Sequence, residues 1–212
     1  MHYPFVLVIF AYMNKEENIK LSENFIIADA DYADHVAFDL IVNFERMLGR
    51  RIPNADLAKW IVGIALDGGM RNKGEEQETQ VVLVHDKEKG KMENFTPASY
   101  GESSGKAFKD PTLGEFIVNA YPVENVTSKD EYMLDLIETV CSHKEVKRVM
   151  IIPNTDTPEL YDKIRMLLKR VDDEDKHITV FAMQPLQGGN FKQEILGYSL
   201  MNAMEIKGDE FK

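Results

Sequence analysis

A single cysteine, Cys141, stands in a chain of 212 residues. One thiol excludes an internal disulfide framework and any zinc site built from several cysteines. Cys141 falls on the apolar stripe of a predicted helix with Met133, Leu136, Ile137 and Val140, which makes it a small core residue and not a nucleophile. Long hydrophobic runs are also lacking. The longest, Phe5 to Tyr12, is far short of the roughly 20 residues that cross a bilayer. Basic charge is scarce: 25 Lys and Arg face 36 Asp and Glu, for a formal net charge of −11. That field repels phosphate backbones and anionic membranes at long range. It excludes an extended nucleic-acid surface but not a local metal-dependent site, because a divalent cation inverts the local sign.

The apolar run at the start has neither a basic segment before it nor a small-residue cleavage site after it. Met13-Asn14-Lys15-Glu16-Glu17 has the character of a natural cytoplasmic start. Residues 1–12 are therefore expected to be a non-native upstream extension, with an extra edge strand as the alternative. Residues 13–212 are expected to form one cytoplasmic α/β domain.

Several motifs are missing. Gly101-Glu102-Ser103-Ser104-Gly105-Lys106-Ala107 has one residue too few between its glycines for a phosphate loop, and Ala107 where a hydroxyl must reach Mg²⁺. Gly68-Gly69 and Gly188-Gly189 make no dinucleotide fingerprint. There is no G-x-S-x-G elbow. A response-regulator receiver reading of Asp29, Asp31, Asp86 and Thr155 fails on spacing, and on Gln184-Pro185 where its last strand should end in lysine.

What is present is an alternation of strands and helices. Phe25–Ala28, Val81–His85, Phe116–Ala120, Val149–Ile152 and Ile178–Met183 have strand character. Val81–His85 is apolar on both faces, as in a covered parallel sheet. A helix is predicted from Tyr32 to Leu48 with Phe44 in the middle of its apolar stripe, stopped by Gly49. Further helices are predicted over Ala55–Trp60, Asp130–His143, from Thr157-Pro158 onward, and over Phe191–Met204. Ile61–Leu66 is taken as a strand ending in an Asp67-Gly68-Gly69 turn, and Lys87–Gly114 as a long polar loop. Together these units predict a three-layer α/β sandwich, with a mainly parallel sheet covered on both faces.

Ligands of such sheets sit beyond the carboxyl ends of the strands. The residues there are Asp29, Asp31, Asp67, His85, Asp86, Asn154 and Asp156. Asp29, Asp67, Asp86 and Asp156 are the candidate metal ligands, for Mg²⁺ or Mn²⁺ held by oxygen donors. Such a site could activate water for phosphodiester hydrolysis. Each acid also has a plainer role. Asp31 and Asp34 have the spacing of an N-cap and its N3 acid, and Asp67 sits in an Asp-Gly turn. His35 and Asp39 lie one turn apart on the solvated side of their helix, with no third ligand evident.

The blocks Ile27-Ala28-Asp29-Ala30-Asp31-Tyr32-Ala33-Asp34-His35, Arg46-Met47-Leu48-Gly49-Arg50-Arg51-Ile52-Pro53 and Phe181-Ala182-Met183-Gln184-Pro185 resemble an uncharacterised bacterial family, a domain of unknown function. A weaker resemblance is to the NYN/PIN-like nuclease architecture. It implies an aspartate after the first strand, where Asp29 stands, and acids after the fourth, where only Asp156 stands in Ile152-Pro153-Asn154-Thr155-Asp156-Thr157-Pro158. So incomplete an acid set suits a catalytically dead relative. The expected function is therefore a non-catalytic binding or interaction module, with a protein partner or a second copy among its possible contacts. The alternative is a metal-dependent nuclease or phosphotransfer enzyme using strand-end carboxylates.

Overall fold

The computed structural model describes residues 21–72, 74, 76–124, 126–171 and 176–211. Residues 1–12, and the expectation attached to them, lie outside that set. The chain runs β1 (Asn24–Asp29), α1 (Ala30–Leu48), β2 (Ala55–Asp56), α2 (Leu57–Asp67), β3 (Glu78–Asp86), β4 (Phe95–Thr96), α3 (Tyr100–Ser103), β5 (Lys106–Asp110) and β6 (Gly114–Val123). It continues with α4 (Lys129–Ser142), β7 (Arg148–Ile152), α5 (Pro158–Leu168), β8 (His177–Ala182), β9 (Lys192–Ile195), α6 (Leu196–Ala203) and a 3₁₀ turn over Gly208–Phe211.

Seven strands form the main sheet in the order β5-β6-β3-β1-β7-β8-β9. Every pairing is parallel except that of β5 with β6. The fold is thus a three-layer α/β sandwich, as the alternation predicts. Strand β1 is buried at all six positions, and its side chains alternate between two cores. Ile26 and Ala28 face the α1–α2–α6 layer with Trp60, Ile61, Ile64 and Leu200. Phe25 and Ile27 face the α4–α5 layer with Met133, Leu136, Ile137 and Ile164. Covering both faces is what makes the strand sequence continuously apolar. Cys141 is buried in the second core, and its environment raises the thiol to about 12, chiefly by desolvation.

Four expectations need correction. Ile61–Leu66 is helix, not strand. Asp56 caps α2, accepting the Lys59 amide at 2.9 Å, and Trp60, Ile61, Ile64 and Ala65 bury one helical face. A short apolar run with one buried side satisfies either periodicity, and here the cap decides it. The Lys87–Gly114 stretch is not one loop; it carries β4, α3 and β5. Phe191–Met204 opens with the edge strand β9 before α6 begins. Phe44 is only half-buried against the first core, and Met47 is 67% exposed. Helix α1 is buried near its start, at Ala30–Ala33, Val36 and Ala37, while its later apolar residues Leu40, Ile41, Phe44 and Leu48 are only partly buried against the first core. Gly49, at φ 63° in the left-handed region, ends it as predicted.

Candidate functional site

Strand β1 is central. The chain builds β3 and β6 on one side of it and then crosses to place β7, β8 and β9 on the other. The loops after β1, β3 and β7 therefore part at their carboxyl ends, where a crevice opens in sheets of this kind.

Asp29 ends β1 and caps α1, its Oδ1 accepting the Tyr32 amide at 3.0 Å. The helix thus starts two residues earlier than the Asp31–Asp34 spacing suggests, and Asp31 is released for another role. Its Oδ2 accepts the Asp86 amide at 2.8 Å and binds Lys129 Nζ at 2.7 Å. Lys129 Nζ also lies 3.0 Å from Asp29 Oδ1 and 3.7 Å from Asp86 Oδ1. Asp34 accepts the Asn94 amide at 2.8 Å.

Lys129 is the first residue of α4, held there by a capping box between Ser128 and Glu131. A cation at a helix N-terminus opposes the helix dipole. The two buried carboxylates outweigh that cost and the cost of burial, and they hold the Lys129 ammonium above its ordinary value. The carboxylates respond in opposite senses. Burial raises Asp29, against the pull of Lys129. Asp31 is lowered: burial works to raise it, but the bonds from Lys129 and the Asp86 amide prevail.

Around this ion cluster sit aromatic and hydroxyl groups. Tyr32 OH lies 2.8 Å from Thr155 Oγ1 and donates to Asp156 Oδ1 at 3.5 Å. Asn154 Oδ1 accepts the Asp156 amide at 3.0 Å, shaping the turn after β7. His85 stacks on Tyr100 with ring centres 3.8 Å apart. Its Nδ1 lies 2.9 Å from the Asp86 carbonyl oxygen, an acceptor, which places a proton on Nδ1. Asp29 Oδ2, Tyr100 OH and Ser103 Oγ are buried without a hydrogen-bond partner among the described residues.

The four candidate metal ligands thus have different fates. Asp29 and Asp86 converge on the Lys129 ammonium. Asp156 reaches the same rim through Tyr32. Asp67 does not: it ends α2, and its carbonyl accepts Lys192 Nζ at 3.2 Å beside the start of β9. The next carbonyl, of Gly68, accepts Arg148 at 2.6 Å at the start of β7. Because Ile61–Leu66 is helix, it delivers Asp67 to the amino ends of the strands. Among the described residues no group of three or more His, Cys, Asp or Glu side chains is disposed to hold a metal ion. His35 and Asp39 are 3.6 Å apart and both exposed, a solvated pair.

Residues 18–211 match a described family. The chain belongs to DUF6621, a family of unknown function. No curated protein and no solved structure matches it. Membership of DUF6621 agrees with the resemblance drawn from the Asp29 and Phe181 blocks and brings no activity with it. No helix among the described residues is long and apolar enough to cross a membrane.

Lys129, Tyr100 and Lys89 are the site residues that the acid-centred reading of the sequence missed. Ser128-Lys129-Asp130-Glu131 is a recognisable capping box. A lysine at its first helical turn, facing the strand-end acids of a parallel sheet, was the available signal.

Proposed function

We propose that this chain is a non-catalytic binding module that uses the crevice at the carboxyl ends of β1, β3 and β7. One observation carries the reading: the Lys129 ammonium stands among Asp29, Asp31 and Asp86, within 3.0, 2.7 and 3.7 Å. A metal-dependent nuclease needs a divalent cation among such carboxylates to polarise phosphate and activate water. Here the chain supplies its own cation, fixed by a helix cap. That cation offsets part of the acids' charge but offers no coordination site for water. The weaker resemblance to nucleases extends only to Asp29 after the first strand and Asp156 after β7. The donor set does not fit a metal, since Asp67 lies on the opposite rim and no group of three or more acids or histidines among the described residues is disposed to hold one.

Thermal melts with and without millimolar Mn²⁺, run beside cleavage assays on single-stranded RNA and DNA, test the reading. The expected result is an unmoved melt and no cleavage. Stabilisation by Mn²⁺, or cleavage lost in Asp29→Asn, overturns it in favour of the metal-dependent nuclease.

A further inference from the structure

The two edges of the main sheet differ in what they can pair with. Strand β5 is outermost on one side and bonds only to β6. Neighbouring bonds show which of its backbone groups β6 uses. The Val118 carbonyl accepts the Gly105 amide at 2.8 Å, and the Ala120 amide donates to Ser104 Oγ at 3.0 Å, both on the β5 side. The Glu115 amide goes the other way, to the Gln77 carbonyl ahead of β3, at 2.9 Å. Backbone groups alternate in direction along a strand. Gly114, Phe116 and Val118 therefore face β5, where they oppose Asp110, Phe108 and Lys106. The amides and carbonyls of Ala107 and Lys109 then point away from the sheet. Such an edge is a template for another strand.

The side chains decide which strand fits. Lys106, Phe108 and Asp110 share one face of β5. Phe108 is only partly buried and stacks on the enclosed Phe116, with ring centres 5.1 Å apart and planes at 10°. Asp110 Oδ1 accepts the Thr112 and Leu113 amides, each at 2.8 Å, and so fixes the turn into β6. Asp110 Oδ2 and the Lys106 ammonium have no ion pair or hydrogen bond among the described residues.

Laid antiparallel on itself about Phe108, the stretch Lys106-Ala107-Phe108-Lys109-Asp110 is self-complementary. Lys106 meets Asp110 of the copy on both sides of the dyad, Phe108 meets Phe108, and Ala107 meets Lys109. This register joins the outward groups of Ala107 and Lys109. It sets Phe108 at a pair without hydrogen bonds, where opposed side chains come closest. Lysine blunts an edge against strands that set no acid opposite it, but here the copy supplies the acid. Lys109 brings no unpaired charge, since Glu76 holds it at 2.7 Å. The opposite edge, β9, lacks such a register. Laid on itself it would set Lys192 against Ile195 and Gln193 against Glu194, and Lys192 is already paired with Glu194.

We infer that β5 is a homodimer surface, on which two copies of this chain pair antiparallel about Phe108 and continue the sheet across a two-fold axis. The inference goes beyond the crevice reading and does not depend on it, because β5 is an outer edge and the crevice opens over the central strands. A ribbon of five residues buries less than the roughly 1,200 Å² at the lower end of stable interfaces. The net charge of −11 is also self-repelling until salt screens it. The dimer is therefore reversible and concentration-dependent at physiological ionic strength.

Sedimentation velocity of the full chain over a micromolar-to-millimolar series, with exchange of the β5 amides followed by NMR at both ends of it, tests this. Wild type is expected to pass from monomer to dimer, and the Ala107 and Lys109 amides to exchange about tenfold more slowly in the dimer. Ala107→Pro removes an outward N–H, where an edge strand tolerates proline, and is expected to stay monomeric throughout. Lys106→Glu opposes like charges twice across the dyad and is expected to weaken the dimer about tenfold. Adding Asp110→Asn, which keeps an oxygen for the turn amides, is expected to recover most of that loss. Lys106→Glu leaves every backbone bond to β6 in place, so it remains informative if Ala107→Pro folds poorly. Lys192→Glu, on the other edge, is expected to leave the dimer unchanged. The inference is overturned if wild type stays monomeric at the highest concentration, if the dimer survives Ala107→Pro, or if Lys192→Glu weakens it as much as Lys106→Glu. Protection of the Ala107 and Lys109 amides in a species that stays monomeric also overturns it, by assigning the edge to another part of the same chain.

Discussion

The two ends of the parallel sheet carry comparable acids and treat them in opposite ways. At the carboxyl ends, Asp29 and Asp31 are buried around Lys129, and part of their bonding capacity is unused. At the amino ends, Asp67 is half-buried and beside Lys192. The neighbouring Gly68 carbonyl is taken by Arg148, and Lys192 itself pairs with Glu194 at 2.5 Å. The first end holds two carboxylates largely away from water. The second disperses charge into solvent and backbone. Stored, incompletely satisfied charge is characteristic of a site, and dispersed charge of a surface. The difference teaches that an acid's position after a strand-like run says little until the direction of that run is known.

If this contrast is sound, removing the cation from the first end has the largest effect. Lys129→Met leaves Asp29 and Asp31 buried without their counter-ion, and is expected to cost about 3–5 kcal/mol in urea melts. Adding Asp31→Asn to Lys129→Met should recover part of that loss, because the residues form one network. Loss below about 1 kcal/mol, the range of exposed ion pairs, would place Lys129 in solvent and end the contrast.

The pH dependence sharpens it next. Asp31 is lowered in the folded state, so its stabilisation is present above the ordinary carboxylate value and is lost as pH falls through the lowered one. Asp29 is raised, so between its ordinary and raised values the folded state binds the extra proton and stability falls as pH rises. Lys129 is raised; its contribution is full below the ordinary lysine value and disappears as pH climbs through the raised one. Asp31→Asn should therefore flatten the acid limb of a stability–pH curve, and Asp29→Asn should steepen it. Lys129→Met should remove part of the alkaline limb. Equal effects of the two aspartate substitutions would mean that the carboxylates share one environment.

Phe44→Ala separates core from rim within the first layer. A fully buried phenylalanine truncated to alanine costs about 3–5 kcal/mol, the expectation from its place mid-stripe. Half-buried as it is, roughly 1 kcal/mol is expected, with Trp60→Ala retaining the full cost because Trp60 is wholly enclosed. Cys141 should resist thiol reagents in the native state and react only on unfolding, since desolvation holds the thiol form far above neutral pH.

Much of this was legible in the residues. The β1, β3, β7 and β8 segments announce themselves because strands covered on both faces are continuously apolar, and their parallel pairing follows from the alternation with amphipathic helices. Asp29 could be placed at the switch point for the same reason. Ile61–Leu66 could not be resolved, because a short run with one buried face fits either period until Asp56 is recognised as a cap. That one ambiguity sent Asp67 to the wrong end of the sheet. Lys129 and Tyr100 escaped for a different reason: they are distant in sequence from Asp29, and only the crossing of the chain back to β7 and the packing of α3 bring them to it. The shallower burial of the second half of α1 was illegible too, since Leu40, Ile41, Phe44 and Leu48 make a stripe as regular as a fully buried one.

The smallest expected effect is at Asp67, and it closes the comparison from the other side. Desolvation and the neighbouring Glu194 raise the Asp67 carboxyl, against Lys192 and Arg71. Its charged form is therefore slightly disfavoured in the folded protein, and replacing it with a neutral isostere removes that penalty. Asp67→Asn keeps the shape of the Asp-Gly turn and leaves the backbone contact with Lys192 intact, since that bond is made by the carbonyl and not the carboxylate. Stability is expected to stay within about 0.5 kcal/mol of wild type, on the stabilising side if it moves at all. Mn²⁺ should not distinguish the variant from wild type. Asp31→Asn, the same change of charge at the other end, should alter acid stability. A loss at Asp67 as large as the one at Asp31 would mean that the amino-end rim also stores charge, and the carboxyl-end crevice would no longer stand apart as the site.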